Sequence, residues 1–475
     1  MKHTLQEGQA LSTQTGITGR RRAGTTVAGL TLALTAALIG SLNSRAQTGA
    51  QALSGDLTFA VWGNEQDVGT LKSVAAAFQK KNPKVSIKII LSDCGPSYAE
   101  CKKLIAGGSM PDVIVPGIWN YNSMVDDAVL ANLEPYIKHD GLNVKDFAPS
   151  VLKAVRSLKD KNLYGLPMGF NVQSLYYNKT LFDQAKLAYP PANGNYTWDD
   201  LRKWARALTL DANGNKPGSA AFNPARIKQW GYTTEAVNGQ AAHLDALLFA
   251  FGGSLMKLPS RQTCNIESPA TVRGLQFLQD MVWKDHSVVS RNDFTETPGY
   301  LRFRQGQVAM QMASHEQVGG LRTDSPDLRY DMAALPKGIA GNATAIQIHI
   351  WAMYNKSPKK DLAWQFIKWA ATDGAVSGAV DRLVPIMNLQ PVYKDLASGV
   401  AFAKAAGEPS GVVAAQVTPA GWPRTTVPSA FNAKTDDILG QDGLAPVLTD
   451  IMLNKKTAAA AVSGACAKIN TVMGR

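Results

Sequence analysis

Glu65 and Asp67 are the first residues of the chain whose types and spacing could do chemistry. Two neighbouring carboxylates can act as an acid–base pair on a glycoside, or accept hydrogen bonds from a ligand's hydroxyls. The first role needs a partner group, and the sequence fixes none. His315-Glu316 opens like the zinc helix His-Glu-x-x-His, but position 319 is Gly. His243, His286 and His349 stand alone, and a lone histidine usually serves packing or a local hydrogen bond. There is no Gly-x-Ser-x-Gly elbow and no phosphate loop ending in Gly-Lys-Ser/Thr. Asp211, Asn213 and Asn215 are spaced like the start of a calcium loop, but Phe222 holds the twelfth position, so this segment is read as a turn. No catalytic residue, metal site or cofactor is expected. What remains is a binding chemistry. Trp119, Asn120, Tyr121 and Asn122 set aromatic faces beside amides, which suits a polyhydroxylated ligand.

The elements that must position these groups follow from periodicity. Asp56–Trp62 is a short β-type run, and Gly63–Asp67 follows as a polar loop. Leu71, Val74, Ala75 and Phe78 recur at helical spacing before Asn82-Pro83. Val85–Leu91, then Tyr98–Ala106, then Asp112–Val115 continue the alternation. The order β-α-β-α-β argues for a parallel sheet covered by helices. Ligands in such sheets sit beyond the carboxyl ends of strands, which selects the loops 62–67 and 116–122. Tyr164–Asn178 is broken by Gly165, Pro167 and Gly169, and reads as an extended crossover into a second α/β unit. Beyond it, Thr197–Asp200 resembles a capping box, and Trp198 and Trp204 fall on the inner stripe of the helix it starts. Trp230–Thr234, Val308–Met312 and Ala345–Tyr354 read as strands, and Ser357-Pro358 as a helix start.

At 475 residues the chain exceeds a single core. Arg20–Arg22, the uncharged run 23–44 and Ser44-Arg45-Ala46 have the layout of a signal peptide cleaved after Ala46. Removing residues 1–46 takes away five basic residues (Lys2, Arg20, Arg21, Arg22, Arg45) and Glu7, lowering the formal charge from +12 to +8. The remaining basic pairs are scattered, so nucleic-acid binding is not expected. In an exported chain, Cys94 and Cys101 around Gly95-Pro96 read as a disulfide. Nothing in the sequence fixes whether Cys264 and Cys466 pair.

Taken in order, these segments resemble the bacterial extracellular solute-binding proteins of the maltose-binding-protein type, the substrate-binding subunits of ABC importers. The resemblance rests on Leu57–Asp67 with Leu71–Pro83, and on Gly108-Ser-Met-Pro-Asp-Val-Ile. It continues through Tyr164-Gly-Leu-Pro to Leu175-Tyr-Tyr-Asn-Lys-Thr-Leu-Phe, Thr197-Trp-Asp-Asp-Leu, Phe303–Met310, Ser357–Trp369 and Leu383-Val-Pro-Ile. It covers residues 53–475. It implies a periplasmic-binding-protein-like α/β fold of class II type, with two discontinuous lobes around a hinge and a ligand cleft. Lobe one would hold 53–168 and 343–395, and lobe two 169–342 and 396–475. Carried over position by position, it implies ligand contacts at Trp62, Glu65, Gln66, Asp67, Trp119, Asn120, Asn171 and Trp422. His315 and Glu316 stand where sugar binders of the family tend to place an aromatic, and His349 and Trp351 stand in place of the more common Gly-Gly.

The expected function is capture of a sugar or oligosaccharide in the periplasm and delivery to an inner-membrane ABC permease, by a monomer that is not an enzyme. Two alternatives remain at this stage: the same fold binding a polyamine, metal chelate or phosphorylated polyol, and a secreted carbohydrate-active enzyme.

Overall fold

The computed structural model describes residues 52–373, 389–390, 392 and 409–474, without the side chain of Gln66. The expected signal peptide, the Leu383-Val-Pro-Ile motif and the expected return crossing near 395 lie outside these residues. Among the described residues the strands form two sheets. Strand β1 (Ser54–Val61) runs parallel to β2 (Lys84–Leu91) and to β3 (Val113–Ile114). Helices α1 (Glu65–Lys81) and α2 (Tyr98–Ala106) connect them. This is the βαβαβ start expected from the alternation.

Asp112 explains why a Pro-Asp-hydrophobic segment stands here. Its carboxylate accepts from Thr58 N at 2.8 Å and Thr58 Oγ1 at 2.7 Å on β1, and from Ser357 Oγ at 2.6 Å. A buried acid with so many donors ties three segments of the lobe together. It also changes the reading of Ser357. The hydroxyl is committed to Asp112 and to Lys359 N, and the helix begins later, at Lys360–Ala371.

The second sheet is built on β5 (Ser174–Asn178), which lies antiparallel between β8 (Val308–Ala313) and β9 (Tyr330–Ala333). Outward from β8 come β7 (Ile227–Thr233), parallel to it, and β6 (Leu210–Asp211). The Thr197/Asp200 capping box is present, and Trp198 is buried. Asp211 is a turn centre, as expected. Its carboxylate accepts from the backbone N–H groups of Asn213, Asn215 and Asn223.

Two strands join the sheets. β4 (Leu166–Val172) pairs antiparallel with residues 346–351 of β10 (Ala343–Met353), and β10 goes on to pair with β3. At its other end, β10 pairs with β11 (Arg424–Thr426). β4 therefore stays with the first sheet as far as Val172, and the chain passes between sheets at Gln173. Gly165 and Gly169 are required by packing. A Cβ on Gly165 would lie 2.3 Å from Ile350 Cγ2, and one on Gly169 2.6 Å from Leu389 Cβ.

The crossing carries a buried amide network. Gln173 Nε2 donates to Gln347 Oε1 at 3.1 Å, Gln390 Nε2 to Gln416 Oε1 at 2.7 Å, and Gln416 Nε2 to Ser174 Oγ at 2.8 Å. Both cysteine pairs are disulfides, Cys94–Cys101 and Cys264–Cys466, the second fastening the C-terminal helix Ala465–Val472 to the segment around Cys264 and Glu267. No helix among the described residues is long and apolar enough to cross a membrane.

The second disulfide closes a sequence separation of 202 residues, and chain entropy assigns such a loop about 4–5 kcal/mol of stabilisation. The double variant Cys264→Ser/Cys466→Ser is expected to lose a large part of this in urea unfolding, and an unchanged midpoint would contradict the assignment.

Candidate ligand-binding site

The carboxyl ends of β1 and β3 place two tryptophans. Trp62 follows β1, and its indole Nε1 donates to Val115 O at 2.8 Å. Trp119 lies in α3 (Ile118–Asp126), and its Nε1 donates to Pro96 O at 3.1 Å. Two glycines leave room for the rings. A Cβ on Gly95 would sit 2.0 Å from Trp62 Nε1, and one on Gly117 2.3 Å from the Trp119 ring. Asn120 Nδ2 donates to Gly95 O at 3.3 Å and Pro96 O at 2.8 Å. Its donor is spent holding the loop that the Cys94–Cys101 disulfide closes, so Asn120 positions Trp119 rather than facing a ligand.

The two loops expected from the sequence are helix starts. Asn64 caps α1, its Oδ1 accepting from Asp67 N at 3.0 Å while Asp67 Oδ2 accepts from Asn64 N at 3.1 Å. Glu65 is exposed in that first turn. The Gln66 side chain lies outside the described residues. The second loop becomes α3, started at Gly117. Apolar residues at 118, 121, 124 and 125 turn inward, a helical spacing that the amides between them obscure.

His349 on β10 joins the tryptophans. Its ring stacks on Trp62 at 5.1 Å and meets Trp119 edge-on at 5.6 Å. Its Nε2 stands 3.4 Å from Glu316 Oε1, within ion-pair reach but outside hydrogen-bond alignment. Glu316 follows β8 of the other sheet, so this contact spans the two sheets. Glu316 is exposed, with 43% of its side chain accessible to solvent. Desolvation pushes the Glu316 carboxyl up. The His349, Asn171 and Ser314 side chains outweigh it, and the net shift is below the ordinary glutamate value.

Asp67 shifts the other way. Burial raises its pKa, the Asn64 backbone N–H lowers it, the Glu316 charge raises it further and His349 lowers it. Asn171 lies on β4, fully buried. Neither its Oδ1 nor its Nδ2 makes a hydrogen bond, and the amide faces Glu316.

The structure thus brings together Trp62, Asp67, Trp119, Asn171, Glu316 and His349. Trp351 is not among them. Trp351 is 1% exposed and packs against Phe59 and Phe366 in the core. The register shift between His349 and Ile350 makes the difference: in a regular strand residues 349 and 351 would share a face, and the irregularity lets Trp351 turn into the interior. His315 is fully buried beneath Glu316. Trp422 is half-buried elsewhere, its ring tip 3.5 Å from where a Cβ on Gly194 would stand.

Two residues escaped the sequence reading. Phe431 approaches Trp119 edge-on at 6.5 Å, from a segment whose Asn432 and Ala433 carbonyls accept from Ser123 Oγ of α3. No local pattern marks it. Glu235 leaves β7 at the same sheet edge where Glu316 leaves β8, and desolvation raises its pKa. An acid just past a strand's carboxyl end was a usable signal. A cavity of about 630 Å³ lies apart from these groups, at the ends of α1 and the helix Lys360–Ala371. Its wall includes ion pairs already made, Lys81–Asp373 and Lys368–Asp140.

The model of the family described as bacterial extracellular solute-binding protein matches residues 62–377. The chain belongs to that family. A binding protein of Brucella abortus (strain 2308) is 22% identical over 308 residues, covering 62% of this chain and 67% of the relative. An ABC substrate-binding protein of Listeria monocytogenes, solved in complex with cycloalternan, superposes with a TM-score of 0.73 at 20% identity. The match covers 89% of this chain and all of that one. A glycerophosphocholine complex of UgpB from Mycobacterium tuberculosis gives 0.70 at 19%, covering 89% and 99%. These likenesses establish the periplasmic-binding-protein-like fold, two α/β sheets around a crossing.

If the half-buried Trp119 is a ligand face and Trp351 a core residue, their alanine variants separate. Trp351→Ala is expected to cost about 3–5 kcal/mol of stability. Trp119→Ala is expected to keep the fold and weaken ligand binding by at least ten-fold. Calorimetry and thermal melting on both variants check this, and equal effects would contradict it.

Proposed function

We propose that the protein captures a carbohydrate between its two sheets and hands it to an ABC permease. One observation carries this reading: aromatic rings and unmatched hydrogen-bonding groups converge at one place between the two sheets. Trp62 and Trp119 offer flat apolar surface, while Asn171 and His349 hold buried polar atoms without hydrogen bonds. A buried polar atom left unpaired costs about 1–3 kcal/mol. A ligand with many hydroxyls relieves that cost, and its apolar ring faces can lie on the indoles. The Listeria neighbour, solved with cycloalternan, supports the choice of carbohydrate, and family membership supports delivery rather than turnover.

Capture is proposed to work by closure. Glu316 belongs to one sheet, and Trp62, Asp67 and Trp119 to the other. A ligand touching both favours the form in which they approach, by its difference in affinity between open and closed forms. Export to the periplasm, through the signal peptide expected at 1–46, and a monomeric state belong to the same reading.

A phosphorylated polyol is the second reading, since the mycobacterial neighbour was solved with glycerophosphocholine. The charges acting on Asp67 come from Glu316 and His349, so a phosphate would meet carboxylates. A thermal-shift panel of neutral sugars, amino sugars, polyamines and glycerophosphodiesters tests the proposal. At one hundred times Kd, a native-state ligand adds about 2.7 kcal/mol, read as a clear rise in Tm. Carbohydrates alone are expected to give it, and a response confined to phosphate compounds would contradict the reading. Release of shortened products from any oligosaccharide would contradict it too.

A further inference from the structure

The charge of the site narrows the ligand further. The Glu316 charge acts on Asp67, and His349 acts on both carboxyls. One imidazole can supply at most one positive charge against two carboxylates. The placement is that of a site. Glu316 Oε1 is 3.4 Å from His349 Nε2, the His349 ring is stacked at 5.1 Å on Trp62, and Asp67 sits in the first turn of the helix that follows Trp62.

A second observation is independent of the acids. Asn171, fully buried, turns an amide toward Glu316 with both polar atoms unpartnered. The amide lowers the Glu316 pKa as a donor does, so its nitrogen is the atom acting on the carboxylate and its oxygen is left to accept from a ligand. A group with several N–H donors and a positive charge fits both at once. A hydroxyl fits only in part, since it has one proton to donate and leaves the charge uncancelled. The indole faces of Trp62 and Trp119 favour a cation in the same place.

We propose that the cleft selects carbohydrates bearing a protonated amine, with the ammonium seated between the Asp67 and Glu316 carboxylates and bonded to the Asn171 amide oxygen. This rests on the carbohydrate reading above and sharpens it. The preference is electrostatic, so it weakens with salt to the extent that water reaches Glu316.

Calorimetry on the full mature chain tests the proposal with matched pairs: glucosamine, galactosamine and mannosamine against the parent hexoses, and the glucosamine β-1,4 tetramer against cellotetraose. Maltotetraose completes the neutral set. The expected result is a best amine at least ten-fold tighter than its neutral partner. That ratio should fall toward one in Glu316→Gln, and fall in the unaltered protein between 50 and 500 mM NaCl. The unliganded Tm of Glu316→Gln reports whether the variant folds, and the salt series stands without it. A neutral sugar binding as tightly as every amine overturns the inference and leaves the carbohydrate reading intact. Binding of no sugar in either set overturns both.

Discussion

The pairing of β4 with β10 is the constraint on which the rest of the structure depends. It is an antiparallel ladder over residues 166–172 and 346–351, with a register shift between His349 and Ile350. That irregularity sits where the site needs it. His349 is brought beside Trp62, while Ile350 and Trp351 continue into the interior with Phe59 and Phe366. β4 sets Asn171 opposite Gln347, two residues before the chain leaves for the other sheet. One ladder therefore fixes the register of both the histidine and the amide, and a slip of one residue would turn each to the wrong face.

Around that ladder, each side of the site is held by groups that do not themselves face a ligand. Asn120, the Gly95–Pro96 carbonyls and the Cys94–Cys101 disulfide hold Trp119. Asn64 holds Asp67 through the cap of α1. The glutamines at 173, 347, 390 and 416 bond in pairs at the crossing, and Gln416 also accepts from Val172 N. Several buried polar atoms here lack partners, the Oε1 atoms of Gln173 and Gln390 among them; those of Asn171 and His349 differ in lying beside Glu316 and the tryptophans, which is why an external partner is expected there.

Much of the architecture was legible from residue order. The alternation of short apolar runs with helical spacing led to the parallel strands β1, β2 and β3, and Thr197–Asp200 did cap a helix. The misreadings share a cause. Gly63–Asp67 and Pro116–Asn122 looked like polar loops because polar residues of a helix's first turn resemble those of a loop. Only the reciprocal bonds of Asn64 and Asp67 distinguish them. Gly165 and Gly169 read as breaks in the crossover, but Gly165 immediately precedes β4 and Gly169 lies within it, and packing against Ile350 and Leu389 accounts for them. Trp351 and His315 lie near site residues in sequence, and the irregularity after His349 and the turn after β8 bury them. Phe431 and Glu235 reach the site region through contacts and sheet edges set by the tertiary fold.

The central claim is that one ligand is held by residues of both sheets. A crystal structure with the tightest-binding carbohydrate tests it most directly. The account predicts density between Trp62, Trp119 and Glu316, with the Asn171 amide hydrogen-bonded to the ligand. Ligand density in the cavity beside Lys81 and Lys368, or a ligand held by one sheet alone with Asn171 still unpartnered, would contradict it.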